Sequence, residues 1–426
     1  MEVSPSERGP QRENPNRCVM MDSGSYGSLN YSFLYLTFLL ALPYFIHYHF
    51  LPKLFIGGET VRVKKTSDLP LRFRSDGTFK ILQVADMHYG SGIITSCRDV
   101  MESEFKYCSD LNTTRFLKRM IQAESPDFIA FTGDNIFGSS TNDAAESMFK
   151  AFGPAMESGL PWAAVLGNHD QESTMNREEL MSFISLMDYS VSQVNPSTDD
   201  STNPTQGGMI TNIDGFGNYH LRVFGAPGST LANSSIMNLF FLDSGDRTVY
   251  QGIRTYGWIK DSQLNWLRNV SQECQGQKQN PLHSDGFPPL APPALVFFHI
   301  PIKEVRQLFN KGIVGQFQEG VACSIANSGV LETFLSMRDV KAVFMGHDHK
   351  NDFCGNLDGV WFCYGGGFGY HAYGSAGWPR RARIILAELQ KGETSWMGVE
   401  KIKTWKRLDD EKLSKIDEQI LWGLSS

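Results

Sequence analysis

Five short segments combine carboxylate, amide and imidazole side chains, and each segment follows an apolar run. They read DMH at 86–88, GDN at 133–135, GNHD at 167–170, FH at 298–299 and GHDH at 346–349. Side chains of these types ligate divalent and trivalent metal ions. One tetrahedral ion cannot use seven ligands, so the set predicts two ions with a shared ligand: Asp86, His88, Asp134, Asn168, His299, His347 and His349.

Buried strands must position these side chains. The apolar runs predict strands at 81–85, 128–132, 163–166, 295–298 and 340–345. A parallel or mixed sheet carries the residues that follow its strands to one edge, so distant segments can converge there. Helical periodicity predicts helices from Asn112 or Thr113 to Glu124, and at 142–157, 177–187, 261–270, 303–309 and 329–337. This alternation predicts a sheet sandwich covered by helices.

The order and spacing of the five segments resemble the calcineurin-like metallophosphoesterase superfamily over roughly residues 79–389. Within it the chain resembles the short plant purple acid phosphatase-like proteins, some of which carry an "inactive" label, and the related fungal Dcr2-type phosphatases. The segments that carry this likeness are FHIP at 298–301, GHDHKNDFC at 346–354 and YGGGFGYHAYGSAGWPRRAR at 364–383. The resemblance implies an α/β (α+β) sandwich of two mixed β-sheets flanked by helices, with the metals at one edge.

The resemblance also implies roles for individual residues. The first ion takes Asp86, His88, Asp134 and His349, and the second takes Asp134, Asn168, His299 and His347. Iron and zinc are the expected metals, with manganese as an alternative, and a metal-bound hydroxide would attack phosphorus in line. His169 is the expected catalytic histidine, and it would contact substrate together with Asn168. The expected activity is phosphoric monoester hydrolysis, with phosphodiester hydrolysis or a catalytically silent binding role as alternatives.

Several residues near the motifs are open to two interpretations. Phe137 stands where purple acid phosphatases have a metal-ligating tyrosine, so the resemblance implies that His88 replaces a phenolate and that the protein is not purple. His371 and Arg380 either contact phosphate or serve packing. Three further polar residues either shape turns or bind the ligating imidazoles: Asn135, Asp170 and Asp348.

Outside this region the chain divides by composition. Residues 1–22 are polar and predicted to be disordered, and 23–56 resemble a signal peptide or a signal anchor, with 31–52 as a possible membrane anchor. A linker at 57–78, a catalytic domain at 79–400 and a charged tail at 401–426 with one short helix complete the prediction. This order predicts the secretory pathway: secreted, vacuolar, or anchored with the catalytic domain lumenal or extracellular.

Cysteines and glycosylation triplets agree with that compartment. Cys354 and Cys363 are symmetric about Asp358-Gly359, a type I′ hairpin signal, which places them within disulfide reach. Cys97 and Cys108 bracket a short insertion and could form another bridge, while Cys274 and Cys323 either pair or remain reduced thiols. The triplets begin at Asn112, Asn233 and Asn269.

The net charge bears on the partner. At −7, with a pI near 5.8, it gives no electrostatic footprint for nucleic acid. A small phosphorylated substrate is the expected partner, because bound metals can supply the positive charge that the chain lacks.

Overall fold

A computed structural model describes residues 26–47, 64–196, 213–276 and 291–424. The chain separates into two compact units, 1–63 and 64–426. In the first unit, helix α1 spans Tyr26–Phe45 and contains Pro43. None of the helices in the described ranges is long and apolar enough to cross a membrane. The predicted disordered tail at 1–22 and the start of the predicted linker lie outside the described residues.

The second unit is built on two mixed sheets. The first has the order β15-β14-β13-β1-β2-β3. In it β1 pairs in parallel with β2 and β2 with β3, while β13, β14 and β15 extend the other side in antiparallel pairing. Its strands are β1 Thr78–Val84, β2 Phe128–Thr132, β3 Trp162–Val165, β13 Arg381–Lys391, β14 Trp396–Leu408 and β15 Lys415–Gly423.

The second sheet has the order β4-β5-β8-β10-β12-β11-β9, with parallel pairing from β5 through β12. Its strands are β4 Tyr219–Phe224, β5 Ser235–Phe241, β8 Ala294–Phe297, β9 Ile313–Val314, β10 Val340–Met345, β11 Cys354–Leu357 and β12 Val360–Tyr364. A separate two-stranded hairpin joins β6 Arg247–Tyr250 to β7 Ile253–Tyr256. The prediction of two mixed sheets flanked by helices is confirmed.

The helices connect these strands, and their ends follow local capping. They are α2 Glu102–Phe105, α3 Asp110–Glu124, α4 Ala144–Ser158, α5 Arg177–Leu186, α6 Asp261–Gly276 and α7 Val330–Met337, with 3₁₀ turns at Gly92–Ile94, Gly138–Ser140 and Lys303–Asn310. The predicted cap of α3 at Asn112 or Thr113 is wrong. Ser109 is the cap, and its hydroxyl accepts a hydrogen bond from the Leu111 N–H while Asn112 accepts one from the Ser109 N–H.

The predicted boundaries of the catalytic domain are too narrow. Strand β14 crosses residue 400, and β15 pairs with it, so the segment predicted to be a tail with a short helix belongs to the first sheet. Lysines at 401, 403 and 406 hid this strand, although the apolar residues Val399, Ile402 and Trp405 belong to the core. On the other side, Phe73 is fully buried and its N–H donates to Phe224, so the predicted linker is part of the domain from residue 64 onward.

Two disulfides form as predicted. Cys354 and Cys363 are directly opposite each other on β11 and β12, joined by a turn in which Asp358 and Gly359 both have positive φ. The second bridge, Cys97–Cys108, closes the insertion before α3. Cys274 and Cys323 are buried free thiols, so the alternative in which they pair is wrong.

Candidate dinuclear metal site

Both sheets deliver their polar residues to the same edge. The turns after β1, β2 and β3 carry Asp86, His88, Asp134, Asn168 and His169, and the turns after β8 and β10 carry the remaining histidines. Four of the predicted ligands have positive φ, between 46° and 80°: Asp86, His88, Asp134 and His347. Residues other than glycine rarely adopt this conformation, and they do so where the fold holds a functional side chain in place.

The first cluster contains Asp86, His88, Asp134 and His349, all buried, with their ligand atoms within 4.8 Å of one another. The Nε2 atom of His88 lies 3.3 Å from Oδ2 of Asp134, and Nε2 of His349 lies 3.4 Å from Oδ1 of Asp86. This is the predicted ligand set of the first ion.

The second cluster contains Asp134, His299 and His347, and it shares Asp134 with the first. The same oxygen, Oδ2 of Asp134, lies 3.2 Å from Nε2 of His299. Asn168 is also buried, and its Oδ1 atom has no hydrogen-bond partner. A carboxylate oxygen that faces an imidazole from each cluster occupies the position that a bridging ligand requires.

The donor atoms are unsatisfied in a way that fits metal ions. Among the described residues, Nε2 of His88, His299 and His347 and Oδ1 of Asn168 are buried without a hydrogen bond. Buried polar atoms are normally paired, because leaving one unpaired costs about 1–3 kcal/mol. Here four unpaired atoms belong to one site, and each has a lone pair to offer. The residues therefore fit a pair of cations.

Hydrogen bonds to the other ring nitrogen orient two of these imidazoles. Nδ1 of His299 is 2.9 Å from the carbonyl oxygen of Thr132, and Nδ1 of His349 is 3.1 Å from that of Tyr373. A proton on Nδ1 satisfies each carbonyl and leaves the lone pair of Nε2 for a metal.

The carboxylates are oriented by backbone N–H groups. Asp86 accepts from His347 at 3.0 Å, and Oδ1 of Asp134 accepts from His169 at 2.8 Å.

Glycines in the motifs make room for these ligands. A Cβ atom on Gly133 would lie 2.5 Å from Nδ1 of His299, and one on Gly346 would lie 2.8 Å from Oδ2 of Asp86. A Cβ on Gly167 would collide with the Asp134 carboxylate. The glycine that begins three of the segments is therefore required by close packing against a ligand, in addition to any turn.

Burial sets the charge of the imidazoles. It lowers the pKa of His88 to about 4 and the pKa of His347 to about 3, so both are neutral at pH 7, the form that ligates metals. Burial also opposes protonation of His299, but the Asp134 carboxylate outweighs it and raises the pKa of His299 to about 9. Without a cation, a proton on His299 balances the negative charge of Asp134. A bound cation would balance that charge instead.

His169 lies at the open side of the site, and two residues that the sequence analysis missed surround it. Its ring centroid is 5.1 Å from that of His88. Nδ1 of His169 is 2.8 Å from Oε2 of Glu172, and Nη2 of Arg247 lies 2.9 Å from Nε2. Glu172 was detectable from its spacing three residues after His169. Arg247 had no signal in the sequence, because the fold brings it from a separate hairpin.

Phe137 lies beside the ligands, as the departure from purple acid phosphatases implied. Its ring centroid is 5.2 Å from that of His88 and 4.6 Å from that of His169. A phenyl ring cannot ligate a metal, so it packs against His88 here.

His371 and Arg380 use their polar atoms within the loops. His371 bonds the Ser96 carbonyl and the Ser140 hydroxyl, and Arg380 donates to three backbone carbonyls. Their contacts agree with the packing interpretation. Asp170 and Asp348 accept hydrogen bonds from backbone N–H groups, as turn-shaping residues do.

Comparison with known proteins agrees with this geometry. The family model of calcineurin-like phosphoesterases matches residues 79–351. The chain belongs to the calcineurin-like phosphoesterase family. An Arabidopsis thaliana protein named "Probable inactive purple acid phosphatase 28" is 65% identical over 94% of this chain and 98% of its own length. The family likeness expected from the sequence is therefore confirmed, and the name of this relative labels that protein inactive.

The chain is also similar to more distant proteins. Phosphatase DCR2 of Saccharomyces cerevisiae is 30% identical over 86% of this chain and 59% of its own length. Among solved structures, a dimetal phosphatase from Danio rerio aligns over 81% of this chain and 99% of its own, with a TM-score of 0.48 and 12% identity.

Proposed function

We propose that the chain is a metal-dependent phosphomonoesterase that uses two metal ions, with iron or zinc as the expected metals and manganese as the alternative. One observation carries the proposal: Oδ2 of Asp134 faces a buried imidazole from each cluster, and Nε2 of His88, His299 and His347 and Oδ1 of Asn168 lack hydrogen bonds. Two bound ions would supply an activated water and would neutralise the charge of the phosphate.

The residues around the clusters support the remaining steps. Glu172 holds Nδ1 of His169, and Nε2 faces Arg247 at the open side of the site. His169 would steady the transition state or, once Nε2 carries a proton, give that proton to the leaving oxygen. Asn168 would hold a phosphoryl oxygen together with the second ion, since its amide is buried beside the cluster.

The proposal differs from the label on the 65% identical relative. Loss of catalysis in this family would be expected to accompany loss of a ligand or of the histidine that follows Asn168. In this chain all seven predicted ligands are present, and the described geometry groups six of them into two clusters that share Asp134. The residues of this chain therefore give no reason to expect the inactivity that the name of the relative states.

We also propose that the protein acts in the secretory pathway. The Cys97–Cys108 and Cys354–Cys363 bridges support this location, because disulfides persist in oxidising compartments. Asn233 and Asn269 have exposed side chains and remain predicted glycosylation sites, and Asn112 remains one within α3.

The test is hydrolysis of an aryl phosphate by the purified chain, reconstituted in turn with iron, zinc and manganese. We expect turnover that requires metal and that falls roughly 100-fold in His169→Asn, while both ions remain bound. A faster reaction with an aryl phosphodiester would favour the diesterase alternative. A wild-type protein that binds two ions and hydrolyses neither ester would refute the proposal and favour a silent binding role.

A further inference from the structure

The β6–β7 hairpin closes one side of the metal site. Arg247 and Tyr256 are directly opposite each other at its base, and both touch the site. The Arg247 guanidinium contacts His169, and the ring of Tyr256 meets the ring of His347 edge-on with centroids 4.5 Å apart. In this cross-strand pair, Arg247 therefore contacts the expected catalytic histidine, His169, and Tyr256 contacts His347 of the second cluster.

The contacts of Arg247 fix its position without burying it. Nη1 donates to the Asn168 carbonyl at 2.8 Å and to Oε1 of Glu172 at 2.7 Å. Nη2 lies 2.9 Å from Nε2 of His169, and 44% of the Arg247 side chain remains exposed. Glu172 contacts both His169 and Arg247, so these two side chains keep a constant spacing. The exposed part of the guanidinium is open to solvent beside His169.

We propose that Arg247 is a substrate-binding residue that recognises the phosphoryl group of a phosphomonoester. This inference rests on the proposed function. A leaving oxygen within reach of Nε2 of His169 is also within reach of Nη2 of Arg247, because the two nitrogens are 2.9 Å apart. Arg247 therefore binds the oxygens next to the bond that breaks.

The chemistry of the guanidinium selects the class of ester. A phosphomonoester carries one more anionic oxygen than a diester does. Nε–H of Arg247 has no partner among the described residues, so it and the second N–H of Nη2 can bind two such oxygens at once, whereas an ammonium group acts as a point charge. Removing Arg247 should therefore weaken catalysis on a monoester far more than catalysis on a diester.

The experiment compares Arg247→Gln, Arg247→Lys and the control Arg254→Gln in the metal-loaded full chain. Arg254 lies on the same hairpin, is exposed, and has no hydrogen bond or ion pair with the residues that the structure describes. Two measurements are made: kcat/KM for an aryl monoester and for a bis-aryl diester, and the Kd of orthophosphate by calorimetry. Metal content is measured for each variant.

In Arg247→Gln we expect kcat/KM for the monoester to fall roughly 100-fold, with less than about a 5-fold fall for the diester. Orthophosphate should bind roughly 10-fold more weakly, and Arg247→Lys should recover part of both losses. Arg254→Gln should stay within about 2-fold of wild type, because the Arg254 side chain is exposed and contacts none of the described residues of the site.

The outcomes separate this inference from the proposed function. A wild-type enzyme that turns over, together with an Arg247→Gln variant that loses equally on both esters or on neither, overturns the inference and leaves the function standing. A wild type without turnover whose orthophosphate affinity still depends on Arg247 refutes the function and supports the phosphate contact. Phosphate binding that is unchanged in Arg247→Gln overturns the contact in either case.

Discussion

Asp134→Asn should weaken the binding of both metal ions, because Asp134 is the residue that the two clusters share. The change keeps the shape of the side chain and removes its charge, and Oδ2 of Asp134 faces Nε2 of both His88 and His299. A bound ion stabilises the transition state by several kcal/mol, and about 4 kcal/mol corresponds to a roughly 1,000-fold change in rate. We expect metal content to fall from two ions to one or fewer, and aryl phosphate turnover to fall about 1,000-fold.

The assay is elemental analysis after dialysis, combined with steady-state hydrolysis. His88→Ala and His347→Ala are the comparison variants, because each belongs to one cluster alone and should cost one ion. Asp358→Asn is the matched control: it makes the same chemical change at an exposed turn position with positive φ, where asparagine is equally suitable. An Asp134→Asn protein that keeps two ions and a tenth or more of its turnover would refute the bridging role.

Three further changes have defined outcomes. Glu172→Gln should lower kcat roughly 10-fold without loss of metal, because Glu172 orients His169 and Arg247; kinetics with elemental analysis test this. Asp352→Ala should lower the free energy of unfolding by about 3–5 kcal/mol in urea titration, because it leaves the buried Lys406 and Arg381 short of a counter-charge. Burial raises the pKa of Asp110 to about 7 in the fold, above its usual 3.8, so its stabilising contribution is complete below pH 4 and is lost as pH rises through 7. Asp110→Asn should therefore flatten the decline of Tm between about pH 4 and pH 7.

Each of these changes can fail in a specific way. A Glu172→Gln protein with wild-type kcat would show that packing alone orients His169. If Asp352→Ala unfolds at the wild-type urea concentration, water or Asp417 satisfies Lys406 without it. A pH profile of Tm in Asp110→Asn that parallels the wild type would assign the decline to other groups.

The residues of the candidate site were predictable because short local sequence patterns identify them. Each candidate ligand segment follows an apolar strand directly. The residues around Asp86, Asp134 and His347 therefore indicate both the metal-binding side chains and the turns on which they lie. The Asp358-Gly359 turn likewise fixed the register of β11 and β12, and with it the Cys354–Cys363 bridge.

The edges of the domain were less predictable, because long-range packing decides them. Strand β14 reads as a charged tail, yet Lys406 is fully buried on it and pairs with Asp352 from another part of the chain. A lysine that a distant carboxylate neutralises has no local signature. Phe73 is buried for a similar reason, since its partner Phe224 comes from the second sheet.

The sequence by itself determined the family, the strands that lead to the site and the polar residues that gather in its two clusters, because these depend on residue type and on short spacing. The tertiary structure alone decided that Asp134 lies between two imidazoles and that Glu172 holds His169. It alone also placed Arg247 against His169 from a hairpin that no motif marks. Such contacts depend on how the two sheets and the hairpin pack together. No short stretch of sequence indicates that packing.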